Sequence, residues 1–185
     1  MTDHHHKQFG FSLIELLVAA TIFTFVVTAV SGLFLQALDI QRRASGIQKI
    51  QENALYVLES ISREVRVSKV VDPDTGSCDP GNLATRTITL NHPINGTVTY
   101  AYSIVSGVGR ITRNVGVSGP QQITSSDINV VTLMFCVSGS GADVAKQQSR
   151  VTIPMTLQTL GGKTINSVSL QTTIVSRDVS VDIVQ

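Results

Sequence analysis

Tryptophan is absent, and aromatic residues make up only 5% of the chain. That leaves little material for a surface on which bases or sugar rings stack. Charge is scarce too, at 15% of residues, against about 25% in ordinary soluble domains. What charge there is nearly cancels, to a net +1. No strong field therefore draws nucleic acid or acidic substrates. Beyond the first ten residues the only histidine is His92, and it precedes Pro93 in a turn region. No cluster of His, Asp or Glu and no nucleophile elbow can be read in the rest. These absences argue against an enzyme, and no cofactor or metal is expected. Cys78 and Cys136 are the only cysteines. They permit one disulfide if the chain folds outside the cytoplasm.

What is plentiful is apolar residues, at 42%, and they are unevenly placed. From Phe11 to Leu38 the sole formal charge is Glu15. A helix of that length spans roughly 40 Å, enough for a hydrocarbon core of about 30 Å. The far end reads Phe34-Leu35-Gln36-Ala37-Leu38-Asp39, with no small-residue cleavage site of the secretory kind. The segment is expected to stay on as a single membrane helix. A carboxylate at mid-span costs about 2.5–3.5 kcal/mol on insertion scales. Glu15 lies near the start, so either it snorkels to the interface or something pairs with it.

The stretch Lys7-Gln8-Phe9-Gly10, followed by Phe11-Ser12-Leu13-Ile14-Glu15-Leu16-Leu17-Val18, resembles the class III signal of type IV pilins and type II secretion pseudopilins. The resemblance implies that a prepilin peptidase cuts between Gly10 and Phe11, that Phe11 becomes the N-methylated terminus, and that Glu15 is the assembly carboxylate. Elementary electrostatics agrees with that assignment. Cutting at Gly10 creates an α-amino group that is positive at neutral pH. Among packed apolar helices such an amine and a neighbour's Glu15 would neutralise each other, and truncating one partner of a buried pair costs about 3–5 kcal/mol. Where many major pilins carry a mid-helix proline, this chain has Ser31 and Gly32, which are able to loosen the helix.

From Ile40 to Val71 the pattern turns amphipathic. Ile47, Ile50, Ala54, Leu58, Ile61 and Val65 recur at spacings of three and four, with Leu55 and Val57 widening the stripe. Glu59 and Arg63 form a favourable i,i+4 pair. Asp72-Pro73 is expected to stop the helix. The run from Ile50 to Arg66 is similar to a helix of J-type pseudopilins and W-type minor pilins, with Leu55 where arginine is usual.

From Thr85 the period falls to two. Strands are expected around Ile88–Leu90, Val98–Ile104, Gly109–Arg113, Val131–Val137, Val151–Leu157 and Val168–Ile174, with hairpin turns at Asn95-Gly96 and Gly161-Gly162. Pro154 suggests an edge strand or a bulge. One long helix followed by an antiparallel sheet is the α+β, pilin-like layout. The expected divisions are a leader over 1–10, a transmembrane or filament-core helix over 11–38, an amphipathic helix of the head over 39–71 and a β-rich head over 72–185. A Cys78–Cys136 disulfide would close a loop of roughly 60 residues, and it departs from the short C-terminal loop of abundant pilins.

Three weaker signals have simpler readings. His4-His5-His6 sits in the leader and defines no coordination shell. Asp72-Pro73-Asp74-Thr75-Gly76 starts like a calcium loop but lacks the closing glutamate, so a capped turn serves better. Asn95-Gly96-Thr97 fits a glycan sequon, but the hairpin explains it.

The function expected from the resemblance is a minor pilin or minor pseudopilin that primes or caps a type IV pilus or type II secretion pseudopilus. DNA uptake, adhesion and a membrane-anchored binding module are the alternatives. The expected partners are other pilins or pseudopilins, the prepilin peptidase and the inner-membrane assembly platform, with membrane lipid before assembly and no nucleic acid. The expected place is the inner membrane, single-pass, with the head outside the cytoplasm.

Overall fold

A computed structural model describes residues 11–72, 75, 78, 86–140, 148–161 and 165–177. The chain divides into two compact units, Met1–Ala44 and Ser45–Gln185. One helix, α1 (Leu13–Val67), supplies the described helical part of both. Within the first unit its large side chains from Leu13 to Leu35 all lie open, as does Phe11 before it. The helix runs unbroken through Ser31 and Gly32, and the Ser31 hydroxyl bonds back to the Val27 carbonyl at 2.7 Å.

In the second unit the 3.6-residue period decides which helix face is covered. Ile50, Ala54, Val57, Ile61 and Val65 are all at most 2% exposed. Leu55 does not widen that stripe as the sequence suggested, because it stands 68% exposed. The helix also stops at Val67, four residues earlier than the amphipathic pattern implied. The chain switches there to β1 (Lys69–Val70), whose residues pair with Asn91 and Leu90. The freed carbonyls at the helix end find partners far along the chain. The Arg177 N–H donates to Arg66 O at 3.0 Å, and the Ser176 hydroxyl donates to Ser68 O at 2.5 Å.

Two antiparallel sheets complete the unit. The first runs β1–β5 in sequence order, adding β2 (Thr87–His92), β3 (Gly96–Val105), β4 (Val108–Val115) and β5 (Gln121–Gln122). The Asn95-Gly96 turn forms between β2 and β3, with Gly96 at φ +68°. The imidazole Nδ1 of His92 accepts the N–H groups of Ile94 and Asn95, each at 3.1 Å. Ser106-Gly107, at φ 52° and 79°, make the two-residue turn from β3 to β4.

The second sheet is centred on β8 (Arg150–Thr159). Along one edge of β8 lie β6 (Ile128–Leu133) and β7 (Cys136–Ser138), and along the other lies β9 (Ser167–Val175). Two expectations fail here for linked reasons. Residues Val131–Val137 are two strands, and Pro154 sits in the middle strand of the sheet. The register passes from Thr132↔Thr156 to Cys136↔Thr152, so Met134 faces Pro154. Met134 N–H donates to Pro154 O at 3.2 Å, and proline has no N–H to return. The ladder lapses at that point, and the break is carried by the partner strand. A register shift at Val130/Thr132 also turns Val131 outward, to 38% exposure, while Leu133, Phe135 and Val137 are buried.

The two sheets meet where β4 approaches β6. A Cβ on Gly109 would collide with the Val130 carbonyl, so only glycine allows this closeness. The Gly109 N–H donates to Asn129 Oδ1 at 2.7 Å. The Tyr102 hydroxyl reaches the irregular stretch of β6, 3.2 Å from Val130 O and 3.0 Å from Val131 O.

Candidate functional site: the start of the helix

Gly10 lies outside the described residues. Phe11 is 82% exposed and precedes the helix by two residues. Ser12 caps the helix. Its Oγ accepts the Glu15 N–H at 3.3 Å, and its carbonyl accepts Glu15 N–H at 3.1 Å and Leu16 N–H at 3.3 Å. Ser12-Leu13-Ile14-Glu15 is thus a Ser-x-x-Glu capping sequence, a local signal that the reading of the motif passed over. It places the carboxylate in the first turn, where the helix dipole favours negative charge by about 0.3–1 kcal/mol. That is smaller than the roughly 2.5–3.5 kcal/mol cost of a carboxylate within a membrane. Local structure therefore offsets part of the cost and leaves the rest to surroundings. Among the described residues no ion pair or side-chain hydrogen bond reaches the Glu15 carboxylate.

Between Glu15 and Ser31 the helix holds no other open polar side chain. Thr21 bonds back to Leu17 O at 2.7 Å, Thr24 to Ala20 O at 2.8 Å and Thr28 to Thr24 O at 2.8 Å, as Ser31 does to Val27 O. Each hydroxyl is satisfied by its own helix, which is what an apolar solvent requires. The most apolar 18-residue window has mean hydropathy 2.4 and is 0% buried. The helix is long and apolar enough to cross a membrane.

The head contains one charged cluster of note. The Glu64 carboxylate, on the helix, receives the Tyr100 hydroxyl of β3 at 2.7 Å and the Arg113 guanidinium of β4 at its Nε, 3.1 Å, and its Nη2. Ser60 Oγ lies 3.3 Å from the Tyr100 hydroxyl. Burial pushes the Glu64 carboxyl up, but the hydrogen bonds from Arg113 and Tyr100 and the Arg113 charge outweigh it, leaving it below 4.5. Burial, with the hydrogen bond to Glu64, pushes the Tyr100 phenol up to about 12. The hydrogen bond to Glu64 raises Arg113 further. The cluster clamps helix to sheet. Sequence periodicity could not have found it, since its three members lie on three elements.

Cys78 and Cys136 are paired as a disulfide, with Cα atoms 5.3 Å apart and a sequence separation of 58. Next to it Thr75 takes a strand-like place on β7: its N–H donates to Val137 O at 3.0 Å, and its Oγ accepts Val137 N–H at 3.1 Å. The Asp72 carboxylate accepts the Thr89 N–H of β2, seventeen residues on, so it is bonded to the sheet. Asp74 and Gly76 of that stretch, and His4-His5-His6, lie outside the described residues. No group of three metal-ligating side chains occurs among the described residues.

The parts define a class: a protein with one exposed apolar N-terminal helix, capped at a serine two residues past a glycine-phenylalanine junction, and an α+β unit of two antiparallel sheets. Residues 5–31 match the prokaryotic N-terminal methylation motif, the signal of type IV pilins and pseudopilins. The matched stretch covers the signal and much of the apolar helix, and none of the sheets. No curated protein and no solved structure matches the chain.

Proposed function

We propose that the chain is a non-enzymatic structural subunit, a minor pilin or minor pseudopilin that primes or caps assembly of a type IV pilus or type II secretion pseudopilus. The observation that carries this reading is the exposed Glu15 carboxylate, unpaired among the described residues, in the first turn of a helix whose other described polar side chains up to Ser31 bond to their own backbone. In the proposed sequence of events, prepilin peptidase cuts after Gly10, Phe11 is methylated, and the new amine of a neighbouring subunit neutralises Glu15. The helix holds the protein in the inner membrane, head outward, until the assembly platform adds it to a filament. The minor role rests on the similarity of Ile50–Arg66 to J-type and W-type helices.

Two measurements test the reading. Mass spectrometry of the protein from its native membrane is expected to show a chain that starts at methylated Phe11. Retained Met1 overturns the assignment. Glu15→Gln keeps the side chain's size and removes its charge. Folding and processing are expected to persist, while crosslinking to partner pilins falls sharply because an amine is left unpaired. Unchanged crosslinking would mean that the carboxylate only reaches for the interface.

A further inference from the structure

Along the described helix the formal charges are separated by one long gap. Glu15 stands in the first turn, and the next ionisable side chains are Asp39, Arg42 and Arg43. The stretch between, Leu16 to Leu38, measures about 35 Å, a little more than a hydrocarbon core of about 30 Å. From Glu15 to Arg42 the helix rises about 40 Å, which is the thickness of a bilayer through its headgroups. With Glu15 at one membrane surface, Arg42 and Arg43 lie in the headgroup layer of the other.

Both guanidiniums are available there. Arg42 Nη1 is 3.5 Å from Asp39 Oδ1, and with the side chains 68% and 72% exposed that pair is weak. Arg43 is exposed and makes no ion pair among the described residues. Successive helix positions are about 100° apart, so each arginine can take a headgroup of its own. A planar guanidinium meets two oxygens of a phosphate at once. A zwitterionic lipid brings that phosphate with a cation attached, which competes with the arginine, whereas an anionic lipid brings net negative charge. The next cation, Lys49, lies about 9 Å further along the helix, beyond the headgroups, and reaches Asp127 at 3.6 Å.

We propose that Arg42 and Arg43 bind the phosphate groups of anionic phospholipids, in the leaflet on the far side from Phe11. The proposal rests on the reading of the helix as a membrane anchor before assembly, and adds to it a lipid class and the two residues that select it. Held in this way, the arginines fix how deep the helix sits. They also leave Glu15 at the opposite surface, where its carboxylate meets water.

The test places the full-length protein in nanodiscs of equal parts phosphatidylcholine and phosphatidylglycerol. Native mass spectrometry then reads which lipids stay bound when the disc is stripped away. Phosphatidylglycerol is expected to be retained over phosphatidylcholine by at least about fivefold. The double variant Arg42→Gln/Arg43→Gln is expected to lose that preference, while Lys49→Gln keeps it. Glutamine is a good helix former, and an unchanged far-UV circular dichroism spectrum reports that the helix persists. Equal retention of the two lipids overturns the proposal. So does a preference that survives in the double variant, or one that Lys49→Gln abolishes equally, since either assigns the effect to charge elsewhere. The measurement needs no partner subunit, so it stands apart from crosslinking through Glu15. A protein that enters the discs without lipid preference sinks this proposal alone, and one that does not enter them sinks the membrane reading with it.

Discussion

At the scale of single residues, the Glu64 cluster makes the head's stability depend on pH at both ends. The folded state holds Glu64 below its ordinary 4.5, so its contribution is complete above that value and drains as pH falls through it. The folded state holds Tyr100 at about 12, above its ordinary 10.0, so that contribution is complete below pH 10.0 and is lost as pH rises toward 12. Glu64→Gln is expected to flatten the acid limb of a stability–pH curve and leave the alkaline limb largely in place. Tyr100→Phe should remove the alkaline limb and cost about 1–2 kcal/mol near neutrality, since it strips one hydrogen bond from a half-buried carboxylate. Denaturant midpoints across pH check both.

At the scale of elements, two glycines separate two kinds of closeness. Gly109 faces the backbone of β6, which has nowhere to go, so Gly109→Ala is expected to cost more than about 2 kcal/mol and to loosen the contact between sheets. Gly46 faces the amide tip of Asn166, a side chain that can turn. There alanine's gain in helix propensity, up to about 1 kcal/mol, should roughly balance the shift of Asn166. Thermal unfolding of the two variants distinguishes them. The same contrast shows what a sequence makes legible. The buried stripe Ile50–Val65, the Asn95-Gly96 hairpin and the last strand were readable, because a local period or turn preference sets each. Pro154 was misread because its missing N–H is tolerated by a lapse in a strand twenty residues earlier. The Glu64–Tyr100–Arg113 clamp depends on which strands become neighbours, and periodicity is silent about that. At the candidate site the signal was legible as a motif, while the capping role of Ser12 was hidden inside it.

At the scale of the whole molecule, the Cys78–Cys136 link joins the segment after the helix to the second sheet. With its ends separated by 58 in sequence, the chain-entropy account gives it about 4 kcal/mol. Cys136→Ser is expected to lower the urea midpoint accordingly, and alkylating reagents should fail to label either thiol in the native, unreduced protein. The apolar helix has a quieter consequence. Because Thr21, Thr24, Thr28 and Ser31 are already bonded to their own backbone, their hydroxyls ask nothing of whatever surrounds them. From Leu16 to Leu35 the flanks of the helix are a nearly indifferent solute, whose transfer between lipid tails and other apolar helices breaks no side-chain hydrogen bond. Discrimination between those two media is then concentrated at one carboxylate near its tip.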